Sequence, residues 1–506
     1  MMTGKQMDIS YRSTRSPGGE VSSSSAIQSG IAPDGGLYVP VSIPPIDRSF
    51  DELAHLDYRG LAHCIISSFF TDLDEKVLRT CIDNAYDEKY DDSRIVPVEE
   101  KAGVSFIELF HGPTLAFKDM ALTMLPHLLK AAAAKEGNKK KIVILTATSG
   151  DTGKAALEGF AGVEGTSIIV FYPKNGVSRI QERQMTTQEG ANAHVIAIEG
   201  NFDHAQKGVK AIFSDRDFGE ELDRNGYMFS SANSINIGRL VPQIVYYFHS
   251  WLELLRMGKI KDGDLINIVV PTGNFGNILA AYYSREMGLP VNRLICASNI
   301  NNVLTDFINT GIYDARRKFV VTSSPAMDIL VSSNLERLLF DLAGKDPDVI
   351  NRLISDLSEK GKFSIDSRMQ EGLACFYGGF ATEEETFSAI RHLYEQSGCL
   401  IDTHTAVGYS VYRKYLEETG DGRPAVIAST ASPFKFPGSV AGAIDQKYRD
   451  MDEFSLLDVL SWISGIKVPI PLVGLESKKV IHNKSCSTGG MKKMVSGILG
   501  IRQEKT

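Results

Sequence analysis

Residues 141–162 read KIVILTATSGDTGKAALEGFAG. The first eight residues are an apolar run without alternation, the middle is a Gly/Ser/Thr turn, and the last ten carry apolar residues at helical spacing. A strand with no polar face has both faces covered, which is the habit of parallel sheets, and strand–turn–helix is the unit from which such sheets are wound. The same run, ending in turn residues, recurs as SIIVFYP (167–173), AHVIAIEG (193–200), INIVVPTG (266–273), RLICAS (293–298) and AVIAST (425–430). Helical patterns such as GRLVPQIVYYFHSWLELLRMG (238–258) lie between them. The order predicts an open, doubly wound α/β architecture.

Outside this repeat the texture changes. Residues 1 to about 95 hold a Ser/Gly-rich opening, the turn cluster PDGGLYVP and a helical pattern around 51–90, and read as a separate N-terminal domain. Residues 330–420 read as mainly helical. Residues 451–506 read as a modest helix, a Pro-rich extended piece and a basic tail expected to be partly mobile.

The chain has 506 residues, 43% hydrophobic and 23% charged, the balance of a globular protein large enough for several domains. Its 54 basic and 62 acidic residues give a net charge of -8 and no broad cationic surface, so neither nucleic acid nor anionic lipid is expected as a partner. No apolar run approaches the roughly 20 residues that span a bilayer. The start MMTGKQMDIS lacks a signal-peptide layout, so a cytoplasmic location is expected. Cys64, Cys81, Cys296, Cys375, Cys399 and Cys486 form no C-x-x-C pair, which argues against a disulfide framework and a zinc site.

In open α/β sheets ligands sit beyond the carboxyl ends of the strands. There the chain carries TATSGDTGKAA after KIVIL, PTGNFGN after INIVV and STASPFKFP after AVIA. Glycines that let several N–H groups converge, followed by a helix N-terminus, make an anion cradle, and two cradles imply two anionic groups. SGDTGK is not a nucleotide-hydrolase loop, because G-x-x-x-x-G-K-[ST] would need glycine at Thr148 and a hydroxyl at Ala155. FHGPTLAFKD (110–119) places Lys118 after an apolar run, unlike the solvated lysines of KEGNKKK (135–141). It reads either as a salt-bridged lysine with Asp119 as helix-entry acid, or as a partly desolvated amine able to act as nucleophile or base. An amine beside two phosphate cradles suits a phosphorylated aldehyde held as a Schiff base, which is pyridoxal phosphate.

The motifs YRSTR (11–15), APDGGLYVP (32–40), HGPTLAFKD (111–119), TSGDTG (148–153), SANSINIGR (231–239), PTGNFGN (271–277), SSNLERLLF (332–340) and STASPFKFP (429–437) run through nearly the whole chain. By them it resembles threonine synthase, a pyridoxal-phosphate enzyme family of the fold group that includes the tryptophan synthase β subunit. The resemblance implies mostly parallel sheets in two cofactor-binding domains within 96–445, an N-terminal domain at 1–95 and a C-terminal extension at 446–506. It further implies that Lys118 carries the cofactor. Gly273, Asn274, Phe275, Gly276 and Asn277 would hold the cofactor phosphate, and Thr430 would face the pyridine nitrogen. Ser149, Asp151 and Thr152 would border the substrate and the cofactor's O3′. A carboxylate beside that oxygen would be repulsive unless protonated or turned away. Asn233, Ser234 and Arg239 would grip the substrate phosphate.

His111 and His404 read first as structural hydrogen-bonders, and Lys174 either as added positive charge or as a solvated lysine. The implied activity converts O-phospho-L-homoserine and water into L-threonine and phosphate, with pyridoxal 5'-phosphate as cofactor, no metal, and a monomer or weak homodimer as assembly. The same scaffold admits a threonine dehydratase or a phospholyase giving 2-oxobutyrate, or a binding protein without turnover.

Overall fold

The computed structural model describes residues 8–148 and 150–501. Its fifteen strands fall into two large sheets and two small antiparallel pairs. Near the N-terminus β1 (Tyr11–Ser13) pairs with β2 (Tyr38–Pro40), antiparallel. The following strands are β3 (Val98–Lys101), β4 (Val104–Glu108), β5 (Lys141–Ala147), β6 (Thr166–Pro173), β7 (Ala193–Ile198), β8 (Tyr227–Ser230), β9 (Ile266–Pro271) and β10 (Val291–Ser298). The last five are β11 (Ile312–Asp314), β12 (Lys362–Ser364), β13 (Phe376–Phe380), β14 (Ala425–Ser429) and β15 (Lys484–Cys486). β11 and β12 form the second small pair. One large sheet has the order β13-β10-β9-β14-β4-β3, parallel except for β3 against β4. The other has the order β15-β7-β6-β5-β8 and is parallel throughout.

The opening stretch explains why the runs are continuously apolar. In β5, Ile142 and Ile144 enter one hydrophobic cluster while Val143 and Leu145 enter another on the opposite face. Ile168 and Val170 in β6 alternate with Ile169 and Phe171 in the same way. Side chains alternate across a strand, so a sheet covered on both sides needs apolar residues at both parities. The larger cluster joins one face of the five-stranded sheet to the helix Ile237–Arg256 and to the N-terminal helices Tyr58–Phe69 and Glu75–Ala85. The N-terminal region is therefore packed on the two-sheet core through one continuous apolar contact.

All six expected runs are strands. β4, β8 and β13 were not legible: YMFS is short, VSFIE carries two polar residues in five, and FYGGF carries two glycines, which weaken a strand's intrinsic preference. The expected mobility of the tail is not what the structure shows. β15 extends the five-stranded sheet by pairing in parallel with β7, and the helix Met491–Leu499 buries Met491, Val495 and Leu499 against the helix Phe202–Ser214. Pairing satisfies the open edge of β7, which otherwise presents unpaired backbone groups.

Candidate active site

Each candidate residue follows the carboxyl end of a strand in one or other sheet: Lys118 after β4, Asp151 after β5, Arg239 after β8, Gly273 after β9 and Thr430 after β14. The 110–119 loop is rigid. Gly112 lies where a Cβ would fall 2.6 Å from Asp119, and Leu115 adopts φ +61°, a left-handed conformation that costs energy for a side chain of this size. The loop is tied to the residues after β14, since Phe117 N donates to Thr430 O (2.8 Å) and Ser432 N to Leu115 O (3.0 Å). Asp119 does not face Lys118. Its carboxylate accepts from Thr114 N (2.8 Å) and Thr114 Oγ1 (2.6 Å), and burial raises its pKa to about 6.

Lys118 has 11% of its side chain exposed. Its pKa is lowered, first by burial and then by the charges of Lys435 and Arg239, against the pull of Asp151 and Asp119. Its Nζ is 3.7 Å from Asp151 Oδ2, and its ammonium lies 5.0 Å from the Phe117 ring centre. Asp151 opens the helix Asp151–Phe160. Its other oxygen, Oδ1, is 3.1 Å from Lys435 Nζ and accepts from Gln181 Nε2 at 2.9 Å. Burial alone would raise the Asp151 carboxyl, but Lys435 and Lys118 hold it well below the usual carboxylate range. The carboxylate is thus ionised and turned toward two ammonium groups. Lys435, with a fully buried side chain, also donates to Thr114 O at 2.6 Å.

The GNFGN turn begins with a close approach: a Cβ on Gly273 would meet Ala326 O at 2.5 Å. Phe275 has φ +63° and begins the helix Gly276–Glu286. The turn's carbonyls are already held, Gly273 O by Ser332 Oγ (2.9 Å) and Asn274 O by Asn334 Nδ2 (2.9 Å). Asn277 accepts at Oδ1 from Tyr246 Oη (2.8 Å) and from Tyr247 Oη, while its buried Nδ2 has no partner within the protein. A buried amide donor without an acceptor is costly unless a ligand supplies one.

Arg239 makes the complementary case. It sits in the first turn of the helix Ile237–Arg256, 4% exposed, with Nη1 donating to Ala232 O (2.9 Å) and Nε without a partner. Among the described residues no carboxylate lies within ion-pair distance. Burial pushes its pKa down to about 10. A buried guanidinium with donors to spare is a receptor for an anion. Asn233, exposed, and Ser234, half-buried, belong to the loop that leads into this helix.

Thr430 is buried, Thr152 is half-buried beside Asp151, and Ser149 falls outside the described residues. His404 is structural: it lies 2.7 Å from Asp402 through Nδ1 and accepts from Ala326 N through Nε2 (3.2 Å), bracing the segment that backs Gly273. His111 lies between Asp91 (2.6 Å) and Glu108 (2.9 Å). Lys174 is exposed. Lys154, the lysine of the P-loop lookalike, is committed to Glu158 (2.8 Å) and Gln188.

Residues that sequence reasoning did not assign are Lys435, Gln181 and Arg337. Arg337 is fully buried and joins Asn334 Oδ1 (2.6 Å) and Ile235 O to Tyr38 O (3.0 Å), coupling the N-terminal region to the loop before the helix Ile237–Arg256 and, through Asn334, to the GNFGN turn. Glu336 next to it receives Arg15 (2.7 Å) and Thr14. For Arg337 and Lys435 the signal was present as charged residues inside apolar runs, LERLLF and SPFKFP, the same signal that marked Lys118, whereas Gln181 in RIQERQ carried none.

These features fit a phosphorylated aldehyde cofactor: a turn whose carbonyls are engaged and whose first glycine admits no side chain, an unpartnered buried amide, and a desolvated amine. Residues 99–355 match the family described as pyridoxal-phosphate dependent enzyme, the class to which this fold and site belong. Residues 10–86 match threonine synthase N terminus, and residues 405–462 match threonine synthase, C-terminal. The chain belongs to the threonine synthase family.

Threonine synthase from Saccharomyces cerevisiae is 37% identical, covering 86% of this chain and 89% of that protein. Threonine synthase-like 1 from Homo sapiens is 40% identical over 85% of this chain, which spans only 59% of the human protein's length. Among solved structures, yeast threonine synthase superposes with a TM-score of 0.87 at 33% identity, covering 98% and 100% of the two chains. Threonine synthase from Brucella melitensis, solved with pyridoxal phosphate bound, gives 0.84 at 33% identity over 97% and 99%.

Proposed function

We propose that the protein converts O-phospho-L-homoserine and water into L-threonine and phosphate, with 96–445 as the catalytic region, 1–95 bracing it and 446–506 as an extension. The observation that carries this reading is a desolvated lysine, Lys118, within electrostatic reach of a buried guanidinium, Arg239, that lacks a carboxylate partner among the described residues. Lys118 would hold pyridoxal phosphate, Gly273 to Asn277 would bind its phosphate through backbone N–H groups, and Thr430 would hydrogen-bond its ring nitrogen. When bound, the cofactor supplies an electron sink for negative charge at the substrate's Cα.

With its amine free, Lys118 would be the base that takes the Cα proton and then a Cβ proton. Burial, with the charges of Lys435 and Arg239, lowers its pKa and so favours the free amine that this task needs. Arg239, with Asn233 and Ser234, stabilises the charge that grows on phosphate as it leaves Cγ, and a charged bidentate donor is strongest where water is excluded. Ser149 and Thr152 border the substrate. Asp151 stays ionised beside the Lys435 ammonium and faces Lys118, so its charge is compensated within the site.

The test loads the protein with pyridoxal phosphate, adds O-phospho-L-homoserine and identifies the products by mass together with released phosphate. Threonine and phosphate in equal amounts, lost in Lys118→Ala by about a thousandfold or more, is the expected result. Phosphate with 2-oxobutyrate would assign the same site to a phospholyase. No turnover with cofactor bound would overturn the reading.

A further inference from the structure

Lys435 is a fully buried lysine, and its ammonium has two acceptors at hydrogen-bond distance: Asp151 Oδ1 at 3.1 Å and Thr114 O at 2.6 Å. Lys118 reaches the same carboxylate only through the other oxygen, at 3.7 Å, beyond hydrogen-bond range. Two cations therefore share one anion, on unequal terms. A cluster of that composition sheds one proton more readily than a simple ion pair, and the group that sheds it is the one held less tightly.

We propose that Lys435 is a positioning residue: by engaging Asp151 it prevents that carboxylate from holding Lys118 as a bound ammonium, and so keeps the cofactor-bearing amine available. The proposal rests on Lys118 being the lysine that carries the cofactor.

The surroundings make the split one-sided. Gln181, from the helix Arg179–Thr186, donates to Asp151 Oδ1 at 2.9 Å and fixes it on the Lys435 side. Arg239, from the helix Ile237–Arg256, opposes the ammonium form of Lys118. Asp119, the other acid close to Lys118, is turned into the Thr114 hydroxyl and amide, and His404, from the helix Thr403–Thr419, faces Asp151. Removing Lys435 takes away a repulsion on Lys118 and leaves Lys118 as the nearest cation to Asp151. Both changes favour the protonated nitrogen.

Lys435 also acts mechanically. It comes from the segment after β14, contacts the loop after β4 at Thr114 and the helix after β5 at Asp151, and so pins one sheet to the other at the reacting lysine.

The test titrates the holoenzyme and follows the visible absorption of the cofactor on Lys118, whose band differs between the protonated and the neutral linkage nitrogen. In Lys435→Met the midpoint rises by about one pH unit or more. In Asp151→Asn it falls. Should Lys435→Met fail to fold because it leaves a buried unpaired carboxylate, the double variant Asp151→Asn/Lys435→Met carries neither charge, and its midpoint lies above that of Asp151→Asn alone. An unmoved midpoint in Lys435→Met, or equal midpoints for Asp151→Asn and the double variant, would overturn the proposal and reduce Lys435 to a structural tether. Borohydride trapping followed by peptide mass mapping separates this from a failure of the underlying reading: cofactor found on a lysine other than Lys118 refutes the assignment of the lysine itself.

Discussion

Arg239→Met is expected to make the protein more stable and a much poorer catalyst. In the folded protein the guanidinium is 4% exposed and has no carboxylate, so it remains charged at a cost. The fall of its pKa from 12.5 to about 10 corresponds to about 3 kcal/mol against the charged form. At pH 7 arginine is charged in both folded and unfolded chains, so the penalty is present in full. Methionine has similar reach and no charge, and the substitution also gives up the bond from Nη1 to Ala232 O, worth about 1.5 to 3 kcal/mol for a charged donor. The net effect on the ligand-free protein lies between about zero and 2 kcal/mol of stabilisation, read as an unchanged or higher urea midpoint at unchanged slope.

Catalysis moves the other way. Losing a bidentate contact to a phosphate worth about 3 kcal/mol lowers kcat/KM by about a hundredfold. Inorganic phosphate supplies the link between the two measurements, since it should raise the urea midpoint of the wild-type holoenzyme and leave that of the variant alone. A variant destabilised by more than about 2 kcal/mol, with kcat/KM within a fewfold of wild type, would refute the reasoning and make Arg239 a packing residue.

Two further outcomes follow from the geometry. Gly273→Ala puts a Cβ 2.5 Å from a backbone oxygen, so the GNFGN turn or the 323–328 segment must shift, at about 1 to 3 kcal/mol; cofactor affinity, measured by absorbance titration of the apoenzyme, should weaken at least tenfold, and unchanged affinity would show that the turn does not bind the cofactor phosphate. His111 gives a pH dependence: burial pulls its pKa down, but Asp91 and Glu108 outweigh it and push the pKa up to about 9. Because the folded value exceeds the unfolded one of about 6.5, the stabilisation is complete below pH 6.5 and disappears as pH rises through 9, a change of about 3 kcal/mol. Urea midpoints of wild type should fall across that window while those of His111→Gln stay flatter, and parallel curves would exclude the histidine as the cause.

The strands and loops of the core were legible because their signals are local. Continuous apolar runs ending in turn residues mark buried parallel strands, and a lysine inside an apolar run marks a desolvated amine, whatever lies elsewhere in the chain. β15 was illegible because KSC carries no strand pattern of its own; it is a strand only because the edge of β7 offers backbone partners. The tail consequently reads as mobile in sequence, whereas in the structure it packs through β15 and the helix Met491–Leu499.

The sequence by itself determined the α/β architecture, the two glycine turns and the lysine, since each is encoded within a few adjacent residues by periodicity and backbone chemistry. Only the tertiary structure decided the electrostatics of the site. Asp151 meets Lys118, Lys435 and Gln181 from three separate segments, and Lys435 meets Thr114 across 321 positions. Whether Asp151 is repelled, protonated or paired depends on which charges share its low-dielectric space, and that is settled by how the two sheets pack, which no local pattern records.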